Sequence, residues 1–164
     1  FPGGYIPSLT DIITETQNMS ETILSVQFNP NKIYSIIMPD TYFKDKNILD
    51  KMIDIYKKDD CDIVLGVFKI REEQKGKLGQ VLFDEDNNLI NVIDKDKNCD
   101  YKWAWGTILW NHKFIKFIDI QKSHIGYGLM PALKKGLKIK VLKSDCHYYD
   151  CGTFDEYKLL LNTL

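Results

Sequence analysis

From Ile33 to Phe68 the chain runs through an apolar strand, an amphipathic helix and a second apolar strand, and few folds accept that order. The first strand is Ile33-Tyr34-Ser35-Ile36-Ile37-Met38. Asp45 can cap a helix over 46–58, in which Ile48, Leu49, Met52, Ile53 and Tyr56 form one apolar stripe. Cys61 to Phe68 is apolar at both parities, as a strand covered on both faces must be. This order predicts a right-handed crossover, with the two strands parallel and adjacent. The expected class is α/β: a mixed, mainly parallel sheet with helices on both faces, Rossmann-like in its layering.

After Phe68 the pattern changes. Leu78–Phe83 and Leu89–Ile93 flank the polar run Asp84-Glu85-Asp86-Asn87-Asn88 and predict a hairpin. Trp103–Trp110 reads as a strand with Trp103 and Trp105 on one face, where packing accounts for them more simply than base stacking. A short helix is expected over 112–119, a helix with Pro131 near its start over 127–135, and a strand at 139–142. Ser20-Glu21 is expected to open a helix running to Phe28, and Thr153 with Glu156 forms a capping box for a terminal helix. Residues 1–13, with Pro2, Gly3, Gly4 and Pro7, are punctuation without a secure element. One domain over 1–164 is expected.

Two aspartates stand where apolar strands run into turns: Asp40 after Ile37-Met38-Pro39, and Asp150 after His147-Tyr148-Tyr149. Ligands of open α/β sheets collect beyond the carboxyl ends of the strands, so two carboxylates there can face a shared site. They suit a hard cation such as Mg²⁺, which takes one or two protein carboxylates together with phosphate and water. Phosphoryl or nucleotidyl transfer is therefore the first chemistry to consider.

With 22 basic and 23 acidic residues and a net charge of -1, no uniform field draws this chain to nucleic acid or to an anionic membrane. Arg71 is the one arginine, which limits bidentate clamping of phosphates. Cys61, Cys99, Cys146 and Cys151 have no zinc-like spacing and read as free thiols of a reducing, cytoplasmic compartment. Strand alternation would send Cys146 and His147 to opposite faces, against a metal cluster there. His112 and His124 read as surface residues.

Six short segments then carry a resemblance, in order, from about Thr14 onward: Met19-Ser20-Glu21-Thr22, Met38-Pro39-Asp40-Thr41, Leu78-Gly79-Gln80-Val81, Val92-Ile93-Asp94-Lys95, Trp105-Gly106 and Tyr149-Asp150-Cys151-Gly152-Thr153. Together they resemble the sugar-1-phosphate nucleotidyltransferases, the family of the glucose-1-phosphate thymidylyltransferases. The resemblance implies a nucleotide-diphospho-sugar transferase-like fold, with a nucleoside triphosphate and a sugar-1-phosphate as partners and Mg²⁺ as cofactor. It places Asp40 and Asp150 as the metal aspartates. Gly79, Asp94, Lys95 and Gly106 fall on the sugar side, Lys95 gripping the sugar phosphate, and Ser20 and Glu21 lie beside the nucleotide. Residues 72–77 could lie over the sugar pocket as a solvated loop, and a homo-oligomer is compatible with the resemblance.

The chain departs from the family at Asp96, where a proline is usual, and at Asn18, where a glycine is common. Nothing in Phe1 to Ile13 matches the family's opening strand and glycine-rich loop, so the chain is expected to be N-terminally incomplete and inactive alone, because that loop cradles the triphosphate. Two other classes stay open: a catalytically silent sugar-phosphate-binding or regulatory module, and a related-fold glycosyltransferase, against which the absence of an Asp-x-Asp pair at Asp40 counts.

Overall fold

A computed structural model describes residues 15–163. The expectations for residues 1–13 lie outside the described residues.

The centre is a six-stranded mixed sheet. Its strands are β1 (Ile33–Ile37), β3 (Ile63–Lys69), β4 (Gly79–Phe83), β5 (Leu89–Asp94), β6 (Trp103–Asn111) and β7 (Ile139–Ser144). They run in the order β5-β4-β6-β3-β7, and β1 shares with β4 the edge of β6 that faces away from β3. Two short strands outside this sheet, β2 (Thr41–Phe43) and β8 (Tyr148–Asp150), pair only with each other.

The expected crossover is corrected in one respect. β1 and β3 do run in the same direction, but both are antiparallel to β6, which lies between them. The reason lies in β6 itself: Ala104 and the run from Gly106 to Asn111 are buried, so the strand is a sheet centre and offers both edges. Likewise β1, β3, β4 and β7 point one way and β5 and β6 the other, so the sheet is mainly parallel in direction while, among the described residues, the only parallel ladder is β3 with β7. The hairpin β4–β5 also reaches across to the far edge. Its tip bridges β7 through Asn88 and Lys140, and Val141 N–H donates to Asn87 O at 2.9 Å, so the sheet curls around its core.

Alternation along β3 builds a core on each face. Ile63, Leu65 and Val67 pack with Ile108, Trp110, Phe114, Ile125, Leu129 and Val141. Val64 and Phe68 face the other way, onto Ile48 and Met52 of helix α2 (Ile48–Asp59) and onto Leu109 and Tyr148. Each such side chain contributes roughly 1.5–3 kcal/mol by leaving water. A bulge at Gly66/Val67, opposite Gly106, shifts the parity of β6 and turns Trp110 to the same core face as Trp103 and Trp105.

Helix ends differ from expectation where side chains compete for backbone groups. Helix α1 (Met19–Leu24) is capped by Asn18, whose Oδ1 accepts from Glu21 N–H at 2.9 Å, and it stops four residues early. Ser25 there bonds the Thr22 carbonyl, a local alternative to helix. The 127–135 segment divides into a 3-10 turn at Ile125–Gly128 and helix α3 (Leu129–Lys134), with Pro131 in the first turn, where a missing N–H costs little. In helix α4 (Phe154–Leu161) the capping box is half made: Thr153 accepts from Glu156 N–H, but the Glu156 carboxylate goes to Arg71.

At the end of the sheet where β1 and β3 begin, Asp62 joins three elements. It accepts from Asn111 Nδ2 at 3.0 Å, Lys113 Nζ at 2.8 Å and Lys138 N–H at 3.0 Å. Burial opposes the charge, yet these three donors hold its carboxyl below the ordinary carboxylate range. A carboxyl depressed in the folded state adds stability that is present above its unfolded pKa, about 3.9, and is lost as pH falls through the folded value. Urea unfolding in steps below about pH 4 should therefore show a shallower acid decline for Asp62→Asn than for the wild type. Parallel acid limbs would remove this network from the account.

Candidate active-site cleft

The β2–β8 ribbon brings the two aspartates together. Thr41 pairs with Asp150, and Cys151 N–H donates to the Asp40 carbonyl at 2.7 Å. Both carboxylates then reach one point over Gly152: a Cβ built there would lie 3.0 Å from Asp40 Oδ2 and 3.2 Å from Asp150 Oδ1. Gly152 N–H donates to Asp150 Oδ1 at 3.3 Å.

Behind the ribbon, Arg71 donates from Nη1 to the Tyr148 carbonyl at 2.6 Å and from Nη2 to Glu156 Oε2 at 2.7 Å, and lies over the Tyr149 ring at 4.5 Å. Gln74 Nε2 donates to the same carbonyl at 2.9 Å. Residues 72–77 are thus not a loop solvated throughout: Glu72–Gln74 is a 3-10 turn whose Gln74 is buried and pins β8. The Tyr148 ring packs on Phe68, with centroids 5.0 Å apart, in space left by Gly106, where a Cβ would come within 2.3 Å of it. Burial, with Asp150 and Asp40 nearby, pushes the Tyr148 phenol well above its ordinary pKa, so it stays neutral.

The facing wall is the base of the β4–β5 hairpin. Gly79 pairs with Asp94, and Lys95 N–H donates to Leu78 O at 3.2 Å from a left-handed backbone, φ 50°. Gly79 lies on the Trp105 indole, where a Cβ would meet Nε1 at 2.3 Å, so its lack of a side chain is a packing requirement. One cavity of about 250 Å³ takes in Asp40, Asp150, Gly79, Asp94, Lys95 and Gly106.

Ser20 and Glu21 are not brought to this cavity, although Met19 of the same helix is. Because Asn18 and not Ser20 is the cap, the helix phase turns Met19 to the cleft and buries Ser20 completely. Glu21 accepts from Gln17 N–H at 2.8 Å. His124 is also not the surface residue expected: half-buried, it lines the cavity with Trp105 and Lys77 and stands 3.3 Å from Asp94. Tyr127 donates to the same carboxylate at 2.9 Å, which raises its own pKa. No local pattern marks these two residues, since only the packing of residues 120–128 on the hairpin brings them there. Cys146 and His147 precede β8, outside any strand, and line a single cavity of about 560 Å³ with Tyr42 and Tyr149, so the expected division between two faces does not occur.

The donor set fits a hard cation. Two carboxylate oxygens converge from exposed or half-buried residues, and among the described residues no group of three His, Cys, Asp or Glu side chains forms. Such a site leaves most coordination positions to water and ligand oxygens, the habit of Mg²⁺ rather than Zn²⁺. Lys77 and Lys95 are the cleft's cations, because Arg71 is engaged behind the ribbon.

No protein-family model matches the sequence, and no curated protein matches it. Solved structures do match in shape. A UDP-glucose pyrophosphorylase complexed with UDP-glucose superposes with a TM-score of 0.67 at 17% identity, over 81% of this chain and 56% of that one. A UTP-bound UGPase from Acinetobacter baumannii gives 0.65 at 13% identity, over 88% and 53%. A Bacillus anthracis protein described as a glucose-1-phosphate thymidylyltransferase, in complex with a sucrose, gives 0.64 at 16%, over 81% and 55%. This chain spans about half the length of the structures it matches. No described helix is long and apolar enough to cross a membrane. The chain thus has the α/β fold seen in these sugar-1-phosphate nucleotidyltransferases, and the likeness is one of fold.

Proposed function

We propose that the protein takes part in sugar-1-phosphate nucleotidyl transfer, joining a sugar-1-phosphate to a nucleoside triphosphate with release of pyrophosphate. The observation that supports this reading is the single cleft that holds the converging pair Asp40 and Asp150 at one end and Asp94-Lys95 at the other. In this reading Lys95 binds the sugar phosphate and Asp94 accepts from a sugar hydroxyl, over a floor of Trp105 and Tyr148. A phosphate oxygen so held attacks the α-phosphorus in line; the new O–P bond forms as the bond to the β-phosphate oxygen breaks. No protein nucleophile is required. Mg²⁺ bound by Asp40 and Asp150 would neutralise charge on the phosphate oxygens. Four unpaired thiols accord with a reducing compartment, and we place the protein in the cytoplasm.

Calorimetric titration of the purified protein with glucose 1-phosphate and with nucleoside triphosphates, each with and without Mg²⁺, tests the reading. Sugar-phosphate binding that weakens in Lys95→Ala, and triphosphate binding that needs Mg²⁺, are expected. Absence of both would end it. A binder without turnover is a second reading, favoured by the engagement of the one arginine away from the cleft, and pyrophosphate release under the same conditions separates the two.

A further inference from the structure

Asp94 is held more firmly than the end of a hairpin requires. The Tyr127 hydroxyl donates to its Oδ2 at 2.9 Å, and His124 Nε2 lies 3.3 Å from the same oxygen. The tautomer of His124 follows from its other nitrogen. Gly126 N–H donates to Nδ1 at 3.1 Å, so Nδ1 carries no proton and the imidazole N–H sits on Nε2, facing the carboxylate. The His124 and Tyr127 rings stack, centroids 4.4 Å apart and planes 27° apart, so each donor's ring is packed against the other. Both serve Oδ2, and among the described residues no donor reaches Oδ1. The cleft and a smaller cavity of about 240 Å³ beside it share Asp94, Trp105 and His124 in their walls.

We propose that His124 and Tyr127 are positioning residues that lock Asp94 through Oδ2 and leave Oδ1 to accept a hydroxyl of the hexose phosphate in the cleft. This rests on the reading of the cleft given above. A carboxylate already fixed loses little freedom when ligand binds, and a fixed acceptor favours a sugar with a hydroxyl in one place over an epimer or deoxy sugar without it.

Two substitutions at His124 separate positioning from a structural role. His124→Gln keeps an amide donor near the Nε2 position and loses the acceptor for Gly126, whereas His124→Asn keeps the acceptor and loses the donor to Asp94. Binding of α-D-glucose 1-phosphate should weaken on the order of tenfold in His124→Asn and in Tyr127→Phe, the usual loss for a hydrogen bond to a charged group, and should largely survive in His124→Gln. In a series of monodeoxyglucose 1-phosphates, the member lacking the hydroxyl taken by Asp94 should bind wild type and Tyr127→Phe alike. Nitrogen-15 NMR of the ligand-free protein should show His124 as the Nε2–H tautomer, and Asp94→Asn should leave that tautomer in place, held by Gly126, while weakening the hydrogen bond at Nε2.

An Nδ1–H or mixed tautomer in the wild type overturns the proposal. So does loss in His124→Gln with retention in His124→Asn, which is the result for a turn cap alone. A locked tautomer in a protein that binds no hexose phosphate leaves the triad intact but refutes the cleft reading, and the assignment of Oδ1 falls with it.

Discussion

Asp40→Asn and Asp150→Asn are each expected to lower divalent-cation affinity by more than about 100-fold, the upper end of what outer-shell partners alone cost. The geometry leaves little redundancy, because only these two carboxylates converge over Gly152 and no described third side chain joins them. Without metal, the same substitutions should raise thermal stability slightly, since two like charges turned toward one point repel. The wild type alone should then gain stability on adding Mg²⁺, by linkage of binding to the folded state. Mn²⁺ relaxation titrations with thermal melts on wild type and both variants check these signs. Variants that bind Mn²⁺ as the wild type does would dismiss the pair as a metal site.

Arg71→Met is expected to cost about 3–5 kcal/mol of folding stability, the range found when one partner of a buried ion pair is removed. Glu156 has 9% of its side chain exposed and Arg71 16%, so the stranded carboxylate would have little water to turn to. The Tyr148 carbonyl would keep only Gln74, and Tyr149 would lose its cation. Arg71→Lys should recover little, because one ammonium cannot meet the carbonyl, the Glu156 carboxylate and the ring with the planar fork of a guanidinium. Arg71→Met with Glu156→Gln should be more stable than Arg71→Met alone, since the unpaired charge is gone. Urea unfolding of the set measures this. A cost near zero for Arg71→Met would mean that β8 is held by packing alone.

The parts of the fold legible in the sequence were those set by local periodicity. The α2 stripe, the β4–β5 hairpin and the apolar strands β3 and β6 follow from the spacing of Ile48 and Met52, from the polar run 84–88 and from residues apolar at both parities. What local pattern could not carry was order. Nothing between Ile33 and Phe68 indicates that a strand from residues 103–111 will enter between the two ends of that crossover.

The site divides in the same way. Asp40 and Asp150 could be named because each stands at a strand end, and Asp94-Lys95 only through the family resemblance of its segment. The cap expected at Ser20 lies two residues earlier, at Asn18, a shift that in a helix turns a side chain through roughly 200°. His124 and Tyr127 were missed because their partner lies in a different element, joined only by tertiary packing. Arg71 stood out in the sequence only as the one arginine, because the carboxylate and ring it engages lie far along the chain.

The two walls of the cleft are not mechanically equal. The hairpin wall is anchored at both ends, by the pairing of Gln80 and Val81 with β6 at its base and by its tip on β7. The wall bearing Asp40 and Asp150 is a ribbon of two three-residue strands outside the main sheet, and a two-stranded unit has little stability of its own. The cleft is a vise with one fixed jaw. Closure on a ligand would bring Asp40 and Asp150 toward Asp94 and Lys95, hinging where Arg71 and Gln74 grip Tyr148.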